Sequence, residues 1–170
     1  MKTIVSNIAI PPASAIAGEL PGAYFHDCYA VPLNTDDRSA LEIYLAVVAK
    51  TPRWVNTLMA LRNRVVALVG LKNLGQLGAG TAAKPASSYQ VGDRVGIFSL
   101  LLLTDNEIIL GDCDRHLRVK VSLSKLTQTQ RQSVVVATVV HVHNRLGRIY
   151  MLFVAPIHRL IAPAMLARIA

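Results

Sequence analysis

The sequence predicts an α+β fold in which a curved antiparallel sheet wraps a long C-terminal helix. Three observations carry this reading. The second half of the chain is a series of apolar runs separated by short turns, and strands joined by short turns pair antiparallel. Two helical stripes stand together after the first strand instead of alternating with strands, and such segregation marks the α+β class. The apolar stretch Arg148–Ala170 then follows the last strand. A sheet curled around that helix encloses space, so an internal cavity is expected.

The elements follow in order. Residues 1–21 are small and apolar and contain Pro11, Pro12 and Pro21, so a coil with at most a short helix is expected. Ala23–Leu33, with Tyr24, Phe25, Tyr29 and Val31, reads as the first strand. Asn34-Thr35-Asp36-Asp37 opens a helix, since acidic groups complement the dipole at a helix start. Ser39 and Glu42 have capping-box spacing one turn further in. Leu41, Tyr44, Leu45 and Val48 share one face of that helix. A second helix follows, with Thr51 as N-cap and Pro52 in the first turn. Trp54, Leu58, Leu61, Val65 and Leu68 form its apolar stripe, and Gly70 ends it. Leu71–Val91, with Gly75, Gly78, Gly80 and Pro85, reads as a long loop.

Four strands come next. Arg94–Leu103 is strongly apolar, Thr104–Glu107 turns, Ile108–Leu110 returns, and Gly111–Asp114 turns again. His116–Lys125 alternates: Leu117, Val119, Val121 and Leu123 face one way, and Arg118, Lys120, Ser122 and Ser124 face the other as a basic outer surface. Ser133–Asn144 is apolar on both faces, which predicts a strand covered on both sides.

Length and composition bound the class. The 170 residues fit one domain over 1–170. The chain is 52% apolar and 16% charged, against about 25% charged in ordinary soluble domains. The excess apolar surface must fill a core, line a pocket, or face a membrane or partner. The net charge of +8 is unevenly placed: residues 115–170 hold nine Lys/Arg and no acid. Such a half attracts phosphates, anionic lipids or acidic ligands, although a solvated basic face is the simpler reading. Cys28 and Cys113 form no framework, which fits reduced thiols and a cytoplasmic location. Thr3–Ile10 is too short an apolar run for a leader, despite Lys2 and Ala13-Ser14-Ala15. Ile149–Ala170 approaches spanning length but holds His158, Arg159, Arg168, Pro156 and Pro163. Charges near the centre of a span are expensive, so a buried or amphipathic terminal helix is expected.

Trp54, Leu58-Met59-Ala60-Leu61-Arg62-Asn63, Gly70-Leu71-Lys72, Asn106-Glu107, Leu110-Gly111-Asp112, Asp114-Arg115-His116-Leu117 and Pro156-Ile157-His158-Arg159 together resemble an uncharacterised bacterial family, the domain of unknown function 2867. The resemblance covers about residues 14–168. It implies a START-like, helix-grip fold of the polyketide cyclase/Bet v-like kind, whose members bind lipids, sterols or polyketides, with some acting as cyclases. It implies no catalytic residue.

The polar constellations are thin. Asp112, Asp114, Arg115 and His116 form the densest one, and His116 with Asp114 is the weak candidate for a catalytic pair. Its plainer reading is a hairpin turn whose aspartates bond the backbone. His141 and His143 share a strand face, but no metal motif exists, so no metal and no cofactor are expected. Arg62 beside Asn63 and Arg64 would hold a carboxylate or phosphate at a pocket mouth, or else flank the helix in solvent or pair structurally with an aspartate such as Asp27. No nucleophile elbow, phosphate loop or dinucleotide fingerprint occurs. At 5%, the aromatics are too few to interleave with the basic residues, so nucleic acid is not the expected partner.

The leading expectation is a binding protein for an apolar small molecule or lipid. The cavity would be lined by Trp54, Phe98, Leu100, Val119, Val121, Val136, Tyr150, Phe153 and Ile157, with Arg62 and His116 as polar anchors. A cyclase- or isomerase-type enzyme using that cavity is the second expectation. The third is a module that docks on an anionic membrane surface or a protein through the basic half. Oligomeric state is not legible.

Overall fold

A computed structural model describes residues 4–33, 37–68, 84–128 and 131–169. It is α+β: a seven-stranded antiparallel curved sheet with three helices, the longest at the C-terminal end, consistent with a helix-grip-like fold. The strands are β1 (Ser6–Asn7), β2 (Phe25–Leu33), β3 (Arg94–Val95), β4 (Phe98–Leu103), β5 (Glu107–Cys113), β6 (Leu117–Gln128) and β7 (Arg131–Val142). Their order across the sheet is β1-β2-β7-β6-β5-β4-β3. The helices are α1 (Ala40–Ala49), α2 (Arg53–Leu68) and α3 (Arg145–Leu166).

Several elements differ from the sequence reading for identifiable reasons. Ser6–Asn7 forms a short strand on β2, and Ala15–Glu19 a 3-10 helix, where coil was expected. The Arg94–Leu103 run is two strands, because Gly96 (φ 61) supplies the left-handed position of a two-residue hairpin turn. β5 continues through the expected turn at Gly111–Cys113, and the chain reverses at Asp114–His116. α1 starts at Ala40, where Ser39 and Glu42 complete the capping box and satisfy two otherwise orphaned N–H groups. Thr51 does not cap α2 by its side chain; its hydroxyl donates to the Val48 carbonyl at the end of α1. The expected helix end at Gly70 and the loop residues 71–83 lie outside the described residues.

Both faces of β7 are covered, by different parts of the chain. One face packs Val134 and, across the ladder, Val31 and Leu123 against α1 and the end of α3, through Tyr44, Val47, Ala162, Met165 and Leu166. The other packs Val135, Ala137 and Val139 against Ile10 and Ile16 of the N-terminal segment. Glu107 ties that segment down: one carboxylate oxygen accepts from the Ser14 and Ser122 hydroxyls, the other from the Ala15 N–H at 3.0 Å. The outer face of β6 is therefore not a free basic surface. Glu19, carried on the 3-10 helix, pairs with Lys120 at 2.8 Å and Arg118 at 3.2 Å. The hydrogen bond and charge of Lys120, followed by Arg118, hold the Glu19 carboxyl below its ordinary range despite some desolvation.

Candidate functional site: an apolar groove under the terminal helix

Register determines what the inner face of the sheet offers. Residues directly opposite in a ladder share a face, so Phe25, Asp27, Tyr29 and Val31 stand beside Val140, Thr138, Val136 and Val134. The next strand adds Val119, Val121 and Leu123 to the same face. α3 lies over this face and is held at both ends.

At its start, the Asn144 Oδ1 caps the helix by accepting from the Gly147 N–H at 3.1 Å. Gly147 is buried so closely that a Cβ there would lie 2.5 Å from the His116 carbonyl oxygen. At the other end, Ala162, Met165 and Leu166 enter the main core.

Between these anchors α3 touches the sheet through Met151, packed on Phe25 and Val140, and through His158, bonded to Asp27 of β2. The space beneath it opens into a groove of 680 Å³ bounded by α1, α2, α3 and the inner sheet face. Leu58, Met59, Leu61 and Val65 of α2 form one wall, Val121, Leu123 and Val136 the floor, and Val154, Ile157 and Ile161 of α3 the roof. Four lining residues, Tyr44, Arg62, Tyr150 and His158, carry a polar group beyond the backbone. Arg62 joins the walls: its Nε donates to the Tyr150 hydroxyl at 3.0 Å, and its guanidinium carbon lies 5.4 Å from the Tyr150 ring centre.

The expected lining residues divide. Arg62, Phe98, Val121, Val136, Tyr150, Phe153 and Ile157 do border the groove. Trp54 does not: it lies on the first turn of α2, 44% exposed. Leu100 is wholly buried in the core behind the groove. Val119 packs toward Phe25, Val140 and Met151, where the first turns of α3 already cover the sheet.

His116 is buried outside the groove and its contacts are structural. Asp114 Oδ1 accepts from the His116 and Leu117 N–H groups at 2.7 and 2.9 Å, as a turn aspartate does. The His116 Nε2 accepts from the Arg115 Nε at 2.8 Å, so Nδ1 carries the proton and donates to Asn144 Oδ1 at 3.2 Å. These bonds fasten the β5–β6 turn to the start of α3; they place no free base beside the groove.

The polar unit that does reach the groove escaped the sequence reading. His158 donates from Nδ1 to Asp27 Oδ2 at 2.9 Å, and its Nε2 lies 3.5 Å from the Thr138 hydroxyl. The Asp27 side chain is only 4% exposed. Phe25 meets the imidazole edge-on with ring centres 5.7 Å apart, and Arg159 lies over Phe25. The available signal was strand alternation, which puts Asp27 on the same face as Phe25 and Tyr29. Its partner lies 131 residues away in a helix, and no local pattern joins the two.

A smaller cleft of 450 Å³ opens beyond the end of β1, between Asn7, Ile8, Ile10, His26, Asp27 and Arg159. Cys28 borders it, but burial, reinforced by the neighbouring Asp27, pushes that thiol up to about 11, which makes it a poor nucleophile at neutral pH. Among the described residues no three His, Cys, Asp or Glu side chains come together as metal ligands. His141 Nε2 instead bonds the Pro21 carbonyl, and His143 Nδ1 that of Asp114.

A family model described as "Protein of unknown function (DUF2867)" matches residues 19–165. The chain belongs to this family. The DUF2867 match includes the strands that floor the groove, both helices that wall it, and α3 as far as Met165. No curated protein and no solved structure matches the chain.

Proposed function

We propose that this protein binds an elongated apolar small molecule or lipid in the groove between α2, α3 and the sheet. The observation that carries the reading is the groove itself: 680 Å³ of space bounded almost entirely by aliphatic and aromatic side chains. That volume is in the range of small-molecule sites, which combine apolar walls with a few placed polar groups. Affinity comes from burying ligand surface, less the cost of association.

Two measurements test this. Native mass spectrometry of freshly purified protein, followed by organic extraction, should find a bound apolar molecule. Equilibrium dialysis with 4-heptylanisole supplies a defined probe. Val121→Trp puts an indole into the floor and should weaken anisole binding about tenfold, equivalent to about 1.4 kcal/mol, with circular dichroism unchanged. Wild-type protein that neither carries nor takes up an apolar molecule would refute the assignment.

A second reading rests on the rim. Leu61 (57%), Leu152 (66%) and Leu160 (67%) are exposed on α2 and α3. Arg145, Arg148, Arg159 and Arg168 are exposed along the same terminal segment. Among the described residues α3 is the one helix long and apolar enough to cross a membrane, and only 17% of its most apolar window is buried. Apolar side chains flanked by cations suit an anionic membrane surface. Vesicles containing about 30% phosphatidylglycerol should pellet the protein at low salt and release it near 0.5 M salt, about where charge screening becomes short-ranged. Leu152→Glu/Leu160→Glu, which leaves the groove lining intact, should abolish pelleting. Equal recovery with neutral phosphatidylcholine vesicles would remove the electrostatic part of this reading.

A further inference from the structure

We infer that His158, backed by Asp27, is the recognition point for a neutral hydroxyl group on the apolar ligand. The inference rests on the groove being a ligand site and adds the chemistry of the ligand's polar end. Asp27 Oδ2 accepts a hydrogen bond from the His158 Nδ1–H at 2.9 Å, which leaves Nε2 as a lone-pair acceptor on the groove lining. Its contact to the Thr138 hydroxyl, at 3.5 Å, is at the outer limit of a hydrogen bond and uses that acceptor poorly. The second carboxylate oxygen, Asp27 Oδ1, is buried with no hydrogen-bond partner among the described residues. A polar unit with an underused acceptor on the groove lining calls for a donor.

Charge selects which donor. A carboxylate ligand would approach the buried Asp27 carboxylate and be repelled. An ammonium would enter a protein of net charge +8 whose residues 115–170 hold no acid, beside Arg159. An alcohol or phenol meets neither obstacle. It donates to Nε2 while its apolar body lies against Val121, which stands directly across the ladder from Thr138, and Ile157.

The test compares 4-heptylphenol, its methyl ether 4-heptylanisole, and 4-heptylbenzylamine by equilibrium dialysis on the full chain. The ether is the more apolar of the first pair, so a groove without a polar contact favours it. Wild type should bind the phenol about tenfold more tightly than the ether, the ratio one buried hydrogen bond supports. Because His158→Phe strands the Asp27 carboxylate, the decisive variant is the double substitution D27L/H158F, which removes both members of the polar pair. It should still bind the ether and lose the preference for the phenol. A wild-type preference for the ether or the amine, or a phenol preference that survives D27L/H158F, overturns the inference while leaving the groove a binding site. Failure of all three probes to bind overturns both.

Discussion

His158→Ala should lower the unfolding free energy by about 3 kcal/mol, the upper end of the range for leaving a buried polar group without its hydrogen-bond partner. The loss comes mainly from what is left behind. The Asp27 carboxylate, 4% exposed, would lose its hydrogen bond from His158 while its other oxygen already has no partner among the described residues. Desolvation of an uncompensated carboxylate is expensive, and Phe25, packed edge-on against the imidazole, would lose contact area as well. Replacing both members of such a pair by apolar groups is often neutral or stabilising, so D27L/H158F should recover most of the stability lost by the single variant. Urea unfolding of wild type, both single variants and the double variant closes the cycle. A His158→Ala protein as stable as wild type would mean that water already serves Asp27 and that the pair contributes little to folding.

Gly147→Val should cost about 2 to 3 kcal/mol, the upper part of the range for overpacking. The new Cβ would meet the His116 carbonyl oxygen at 2.5 Å and the Val142 Cγ1 at 2.8 Å. The first contact is with backbone that is itself fixed, since the same carbonyl accepts from the His143 N–H at 2.8 Å. Alanine is the better helix former by about 1 kcal/mol, yet Gly147→Ala should still destabilise because the clash begins at Cβ. Either variant lifts the start of α3 off the β5–β6 turn and so changes groove width. A lowered urea midpoint together with altered 4-heptylanisole affinity is the expected signature. A gain in stability for Gly147→Ala would show that helix propensity outweighs the close approach.

Local and periodic features of the fold were legible in the sequence. The alternation of β6 is visible in Leu117–Ser124, the double apolar face of β7 in Val134–Val140, and the start of α1 in Ser39 and Glu42. What covers the outer face of β7 was not legible, because Ile10 and Ile16 sit in a segment without period and are ordered by the distant Glu107. The hairpin at Gly96 was hidden because Ile97 and Phe98 continue an apolar run across it. In the groove, residues on a regular stripe were readable, as Val121, Val136 and Ile157 show. Trp54 misled because its spacing continues the α2 stripe at a helix end where the protein body no longer covers it. His116 misled because sequence adjacency to Asp114 suggested a reactive pair, whereas Arg115 and Asn144 occupy both ring nitrogens. His158 was missed because its chemistry depends on a tertiary partner.

The sheet's outermost strands, Ser6–Asn7 and Arg94–Val95, are two residues each. A border so short offers a neighbouring molecule little template for continuing the ladder, which is the usual first step toward fibrils. Among the described residues the other surface open to self-association is the helical side, where Leu152, Phe153 and Leu160 are each more than half exposed.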